Sequence, residues 1–262
     1  MGLNQYIKEP ERGMAMAEKT PLYDLHVGNG GRMVEFCGYL LPVEFGGIIN
    51  EHEAVRQRAG MFDVSHMGRI DIHGDGAQAF IQQLVTNDIA DMPPGRIRYA
   101  LLCNEKGGVL DDILVYCRKE GHYALVVNAA NRQKVLAHLA ANQTDGAVVE
   151  DLTEKTGHIA FQGPLSQQIL SRVCDAALLP QKYYTFAQGV PIAGTSCFVS
   201  RNGYTGEDGF EIICGADEIT AVYRAILQAG EDAAQNCGLG CRDTLRFEAG
   251  MPLYGHELGE DI

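Results

Sequence analysis

Positive charge is scarce in this sequence. Its 262 residues include 21 Lys and Arg against 34 Asp and Glu, a formal net charge of −13, and no run of Lys or Arg occurs. Sequence-independent nucleic-acid binding needs a basic face that releases counterions, so we exclude nucleic acid as a partner. Long hydrophobic runs are also missing: no stretch approaches the ~20 apolar residues of a membrane span, and the N-terminus lacks the apolar region of a signal peptide. The sequence therefore predicts no membrane association.

Several motifs of metal, nucleotide and esterase chemistry are absent as well. The eight cysteines include no CxxC pair and the eight histidines no HExxH pair, so we predict reduced thiols, a cytoplasmic location and no metal site. No GxGxxG or GxxxxGK[ST] loop is present to hold nucleotide phosphates. Ser65 and His66 are adjacent and would point to opposite faces of a strand, so they are not a nucleophile and its base.

What is present is the composition of a soluble globular chain, with 46% hydrophobic and 21% charged residues. We interpret residues 1–19 as a poorly ordered leader. Beyond them, segments of helical period, such as residues 48–63, mix with segments of strand period without regular βαβ alternation. This pattern predicts an α+β fold in which antiparallel sheets carry segregated helices.

The clearest pattern lies between residues 96 and 128. Three strand-like runs, RIRYALLC, VLDDILVYC and HYALVVN, are joined by the turn-rich segments NEKGG and RKEG, which predicts an antiparallel meander. Side chains alternate along a strand, so Asp111 and Asp112 lie on opposite faces among apolar neighbours. Asp is disfavoured inside strands, and a buried carboxylate needs a donor or a proton. The pair therefore suggests a function.

Asp112 has the more promising predicted surroundings. Tight hairpins set it opposite Ala100 and near Val127, with Tyr99 and Asn128 as diagonal neighbours. A carboxylate beside a phenol and an amide on a half-apolar face suits a flat, hydrogen-bonding heterocycle. We expect burial to raise its pKa, a property that a proton acceptor uses. Two alternatives stay open: a register shift of one residue would exchange the two aspartates, and either one can cap or pair with an Arg at the sheet edge.

A second group of candidates lies in the C-terminal half. Glu211 interrupts the apolar strand GFEI, and the Gly-rich segment before it carries Tyr204. Arg242 precedes a predicted helix with Asp243 as its cap, and its guanidinium can pair with a carboxylate such as Glu211. The alternatives are an ordinary hairpin for the Gly-rich segment and a solvated charge for Arg242.

Six segments, taken together and in this order, resemble one known family: FDVSHMGRIDIHG, LVTNDI, GRIRYALLCNEKGGVLDDILVYC, FQGPLSQQIL, SRNGYTGEDGFEI and GLGCRDTLRFEAGMPLYGHEL. They are similar to segments of the aminomethyltransferases, the T-proteins of the glycine cleavage system. The resemblance covers nearly everything after Lys19. It implies transfer of a one-carbon unit from the aminomethyl group on the lipoyl arm of the H-protein to tetrahydrofolate, with release of ammonia.

The resemblance also implies roles for particular residues. Asp112 matches the aspartate that the family uses beside the reacting pterin nitrogens, which makes it the implied catalytic residue. Glu211 and Arg242 match a further ligand-contacting pair. The other residues with an implied role in folate binding are Met67, Tyr99, Leu114, Tyr116, Val127, Asn128 and Tyr204. Tetrahydrofolate is the implied cosubstrate, lipoylated H-protein is the implied partner, and no metal is implied.

The family fold implies two interleaved α+β domains around a folate pocket. Residues 20–66 with 154–237 form the first, and residues 67–153 with 238–262 form the second, which carries the meander. Family members continue after LYGHELGEDI into a C-terminal β-barrel, and we expect this chain to lack it. Two other functions stay open: a tetrahydrofolate-dependent demethylase of another small donor, and a noncatalytic folate-binding module of the same fold. The hallmark motif of that module, K-x-G-C-[FY]-x-G-Q-E, is missing here.

Overall fold

The computed structural model of the protein describes residues 17–261. In chain order its strands are β1 (Glu18–Lys19), β2 (Arg32–Phe36), β3 (Tyr39–Glu44), β4 (Ala59–Asp63), β5 (Gly68–His73), β6 (Arg96–Cys103), β7 (Val109–Lys119), β8 (His122–Val127), β9 (Val148–Asp151), β10 (Thr156–Gln162), β11 (Thr185–Ile192), β12 (Thr195–Arg201), β13 (Gly209–Gly215) and β14 (Ala234–Asn236). Its helices are α1 (Tyr23–Gly28), α2 (Ile48–Gln57), α3 (Ala77–Gln82), α4 (Arg132–Ala141), α5 (Ser166–Leu170), α6 (Ile219–Gly230) and α7 (Leu239–Glu248). Short 3-10 turns lie at Ala129–Asn131, Ala176–Leu178 and Glu231–Ala233.

The chain folds into two compact units, each assembled from two separate segments. Unit one contains residues 17–66 and Lys155–Met251, and unit two contains Met67–Glu154 and residues 252–261. Residues 238–251, which the sequence analysis grouped with the second domain, lie in unit one. The reason is that α7 packs against α2 and β3.

The start of the chain departs from the predicted leader at its last residues. Residues 1–16 of that leader lie outside the described range. Glu18 and Lys19, in contrast, form β1 and pair in parallel with Tyr39 and Leu40. These two residues therefore belong to a small sheet in the order β1, β3, β2.

The core of unit one lies between sheet strands and an amphipathic helix. The neighbouring strands follow the order β14, β4, β10, β13, β12, β11, with antiparallel pairing except between β14 and β4. Helix α6 buries residues at the 3.6-residue period of one helical face against these strands. They are Ile219, Val222, Tyr223 and Ile226.

Unit two is an antiparallel sheet in the order β6, β7, β8, β5, β9. The predicted meander is present as β6, β7 and β8. Helices α3 and α4 share one hydrophobic core with it, in which Ile113 and Val115 from the sheet pack with Phe80, Val135 and Leu139. The predicted α+β class, with antiparallel sheets and segregated helices, is confirmed.

One predicted helix is shorter than expected. The pattern of residues 48–63 predicted a single helix, but α2 ends at Gln57 and the residues that follow it form β4. Strand β4 is buried along its whole length, because β10 pairs with one edge and β14 with the other. Pairing on both sides overrides the local helical period. Within the described residues, the structure contains no helix with the length and hydropathy of a membrane span.

Candidate functional site

Strand β7 places two adjacent aspartates on opposite faces of the unit-two sheet. Ile113 and Val115 share the face of Asp111 and are buried in the core, and Asp111 itself is fully buried. Asp112 lies on the other face and is half-buried. The predicted alternation is confirmed, and Asp112 is the more accessible of the two carboxylates.

The register of the meander differs by one residue from the prediction. Leu101, not Ala100, pairs with Asp112, because a bulge near the start of β7 inserts one extra residue. Tyr99 pairs with Leu114 and therefore stays on the Asp112 face. The shift does not exchange the two aspartates, since packing against the core decides which face each occupies.

Two neutral donors hold the Asp112 carboxylate. The Asn128 amide donates to Oδ1 at 2.7 Å, and the Tyr99 hydroxyl donates to Oδ2 at 3.2 Å. Burial raises the pKa of Asp112, and these two hydrogen bonds oppose the rise. The result is an oriented carboxylate on a half-exposed sheet face.

Asp111 is held more tightly than Asp112. The backbone N–H of Asn128 donates to its Oδ2 at 3.0 Å, and the Asn128 and Asn131 amides donate to its Oδ1 at 2.9 and 2.6 Å. Burial nevertheless raises the pKa of Asp111 to about 6, and the charge of Asp112 adds to the rise. The Asn128 amide thus bridges both carboxylates.

Sequence reasoning missed the role of Asn131. It occupies the N-cap position of α4 but makes no side-chain cap hydrogen bond. Its amide donates to Asp111 instead. The spacing of Asn128 and Asn131 after an apolar strand was the available signal, since Asn128 directly follows the end of β8 and Asn131 comes three residues later.

The pKa of Asp111 has a consequence for stability that can be measured. Because the folded state binds this proton more tightly than the unfolded state, with a pKa of about 6 against 3.8, stability is expected to fall as the pH rises through this window. The loss is roughly 3 kcal/mol at most. Urea unfolding at several pH values should show this fall in the wild type and not in Asp111→Asn.

A control variant separates the contribution of Asp111 to the pH dependence of stability from that of the other carboxylates. Asp145 is exposed, so Asp145→Asn is expected to reproduce the wild-type pH profile. Parallel stability curves for the wild type and Asp111→Asn between about pH 4 and pH 7 would contradict the assignment.

Unit one contains a second cluster, centred on Glu211. His158 Nε2 lies 3.2 Å from Glu211 Oε2, and both side chains are buried. Burial acts to raise the pKa of Glu211, but the hydrogen bond to His158 and the charges of His158 and Arg242 lower it below its usual value. Glu211 is therefore a buried anion with a histidine partner.

His158 is a residue that sequence reasoning missed. Its backbone N–H donates to the Ser65 hydroxyl at 3.0 Å, and that hydroxyl donates to the His158 carbonyl at 3.1 Å. These bonds join residues 93 positions apart in the chain. The register of β10 with β13, which sets Ala160 opposite Glu211, brings His158 close to that carboxylate. No local signal marks this neighbour.

Arg242 and Tyr204 complete the unit-one cluster. The guanidinium carbon of Arg242 lies 4.8 Å from the centre of the Tyr204 ring, a cation–π distance. Arg242 lies inside α7, not before it, because the helix starts at Leu239 with Gly238 as its N-cap. Asp243 is not the cap: it accepts a hydrogen bond from Arg246.

The remaining predicted residues of unit two fall into two groups. Leu114 shares the Asp112 face, as does Tyr116 two residues further on, and Met67 is half-buried immediately before β5. Val127 is different. It is fully buried in the unit-two core and pairs with Gly68, so the structure places it away from the Asp112 face.

Comparison with known proteins identifies the family. Residues 22–262 match the GCVT N-terminal domain. The aminomethyltransferase of Geobacillus kaustophilus is 48% identical over 248 residues, which cover 94% of this chain and 68% of that protein. The chain belongs to the aminomethyltransferase family. A second relative, the aminomethyltransferase of Halalkalibacterium halodurans, is 45% identical over 250 residues, covering 95% of this chain and 68% of that protein.

A solved aminomethyltransferase supports the same assignment. The glycine cleavage system aminomethyltransferase T from Bartonella henselae matches with a TM-score of 0.85 and 32% identity, covering 94% of this chain and 66% of that one. The family predicted from the six sequence segments is thus confirmed, and with it a transferase enzyme. The shared name of these relatives favours an aminomethyltransferase over the demethylase alternative. The chain spans about two thirds of the length of the relatives it matches.

Proposed function

We propose that this chain binds tetrahydrofolate and transfers to it the one-carbon unit of an aminomethyl group on the lipoyl arm of the H-protein, with release of ammonia. The main support for this proposal is the position of the Asp112 carboxylate. It lies on a half-exposed sheet face and accepts hydrogen bonds from the Tyr99 hydroxyl and the Asn128 amide. Membership of the aminomethyltransferase family supports the transferred group.

The Asp112 cluster is suited to a nitrogen nucleophile that gains positive charge. When a folate nitrogen attacks the aminomethyl carbon and ammonia leaves, positive charge develops on that nitrogen. A second folate nitrogen then displaces the lipoyl sulfur, which leaves as a thiol and completes the transfer. A carboxylate with a raised pKa can stabilise this charge or take the proton. The two neutral donors fix the orientation of Asp112 without neutralising it, so the carboxylate keeps its charge in a fixed position.

Glu211 and Arg242 of unit one are the second set of proposed ligand contacts. The lowered pKa keeps Glu211 ionised at neutral pH, where it accepts hydrogen bonds from N–H groups. The Nη1 atom of Arg242 is buried and has no hydrogen-bond partner among the described residues. A buried donor without a partner is costly, and a bound carbonyl or carboxylate oxygen would satisfy it.

Calorimetric titration with 5-formyltetrahydrofolate, a stable reduced folate, tests the proposal. We expect saturable binding to the wild-type chain and binding weakened about tenfold or more in Glu211→Ala, which loses a charge-assisted contact. Asp145→Asn serves as the exposed carboxylate control and should bind like the wild type. Absence of saturable binding, also in a chain extended to the full length of the relatives, would contradict the folate proposal.

A cytoplasmic location is part of the same proposal. The eight cysteines are free thiols, five of them buried. Free thiols are typical of a reducing compartment, and the relatives named above are bacterial.

A further inference from the structure

Unit two carries another group of chemically competent side chains at the opposite end of the meander from Asp112. Asp71 and His73 lie on β5, and His73 pairs directly with His122 at the start of β8. Strand β8 separates His122 from Asn128 by roughly 20 Å at its usual rise per residue. The folate chemistry proposed above uses none of these three side chains.

We propose that Asp71, His73 and His122 bind a divalent transition-metal ion of the zinc class, with a solvent molecule as the fourth ligand. One ligand atom from each residue lies within 4.8 Å of the other two. Asp71 Oδ2 lies 2.9 Å from His122 Nε2 and 3.2 Å from His73 Nδ1. Two zinc–ligand bonds of ~2.0–2.1 Å at a tetrahedral angle separate their ligand atoms by roughly 3.3 Å. The observed spacings are close to this value.

The donor set and its surroundings favour such an ion. Two imidazoles and one carboxylate suit zinc, nickel or copper better than calcium or magnesium, which prefer oxygen ligands. The His73 side chain is 40% exposed and that of His122 23% exposed, so an ion can enter from solvent. Next to the histidines, the Gly74 N–H donates to the Gly121 carbonyl at 2.9 Å and ties the ends of the two strands together.

Arg118 neutralises the carboxylate at this cluster. Its Nη1 lies 2.8 Å from Asp71 Oδ1 and 3.4 Å from His122 Nε2. A metal ion and this guanidinium therefore compete for the same carboxylate. The Arg118 side chain is 31% exposed and can move into solvent. Removing its charge is thus expected to strengthen metal binding, whereas a merely structural hydrogen-bond network predicts no such gain.

Calorimetric titration of the full chain with Zn²⁺ tests the site. We expect binding of one ion per chain, weakened about tenfold or more in His73→Ala and His122→Ala and strengthened several-fold in Arg118→Ala. His52→Ala is the matched control. His52 lies 3.0 Å from Glu248 Oε2 but belongs to neither three-residue cluster of ligand atoms found in the described part of the chain.

The other such cluster, Glu51, Cys237 and Cys241, provides a second control. It is fully buried, and backbone N–H groups already occupy both oxygens of Glu51. Cys237→Ser is therefore expected to leave Zn²⁺ binding unchanged. Wild-type affinity in both histidine variants, or loss of binding in Cys237→Ser, would overturn the proposal. If the histidine variants fail to fold, an affinity in Arg118→Ala no higher than in the wild type would overturn it.

Discussion

Asp112→Asn is expected to reduce the rate of aminomethyl transfer about 100-fold or more, while the affinity for reduced folate stays within about tenfold of the wild type. The amide keeps the size of the side chain and can still bond to Tyr99 and Asn128. It loses the negative charge that stabilises a cationic nitrogen and the capacity to take a proton. The measurement is turnover with aminomethylated H-protein and tetrahydrofolate, beside a folate titration of the same variant.

The two readouts separate catalysis from binding. Unchanged turnover in Asp112→Asn would refute the catalytic assignment. A loss of folate affinity as large as the loss of rate would make Asp112 a binding residue instead. Asp145, exposed in the same unit, provides the matched control, since Asp145→Asn removes one charge and should change neither readout.

Glu51→Ala is expected to destabilise the fold by about 3 kcal/mol or more, because it leaves three backbone donors without their acceptor. Glu51 is fully buried on α2. Its Oε1 accepts from Phe45 and Gly46 N–H at 2.6 and 2.9 Å, and its Oε2 accepts from Gly238 N–H at 2.8 Å. The carboxylate thus joins the segment before α2 to the start of α7, 187 residues away. Urea unfolding monitored by circular dichroism measures the change.

A neighbouring residue provides the control for this second prediction. Glu53 lies on the same helix and is exposed, so Glu53→Ala is expected to change the free energy of unfolding by no more than about 0.5 kcal/mol. An equal, small effect of both substitutions would show that water or other acceptors replace the Glu51 carboxylate.

Local patterns predicted much of unit two. Alternation with period two set Asp111 and Asp112 on opposite faces of β7, and the short turns of the meander brought Tyr99 and Asn128 to Asp112. These partners are at most 16 residues from Asp112 in sequence, so the sequence can place them together. The bulge in β7 is also local, but no residue pattern marks it, and the predicted register was therefore wrong by one residue.

The sequence by itself determined the family, through the resemblance of six segments to those of known members. It also determined the α+β class, the meander and the faces of its two aspartates, because hydrophobic periodicity and short turns act between near neighbours in the chain. Only the tertiary structure decided that β4 is a strand, that Val127 lies in the core and that His158 partners Glu211. It also brought Asp71 next to His122, 51 residues further along the chain. Such contacts depend on which strands pair and in what register, and pairing is chosen by burial across the whole sheet, not by the residues on either side.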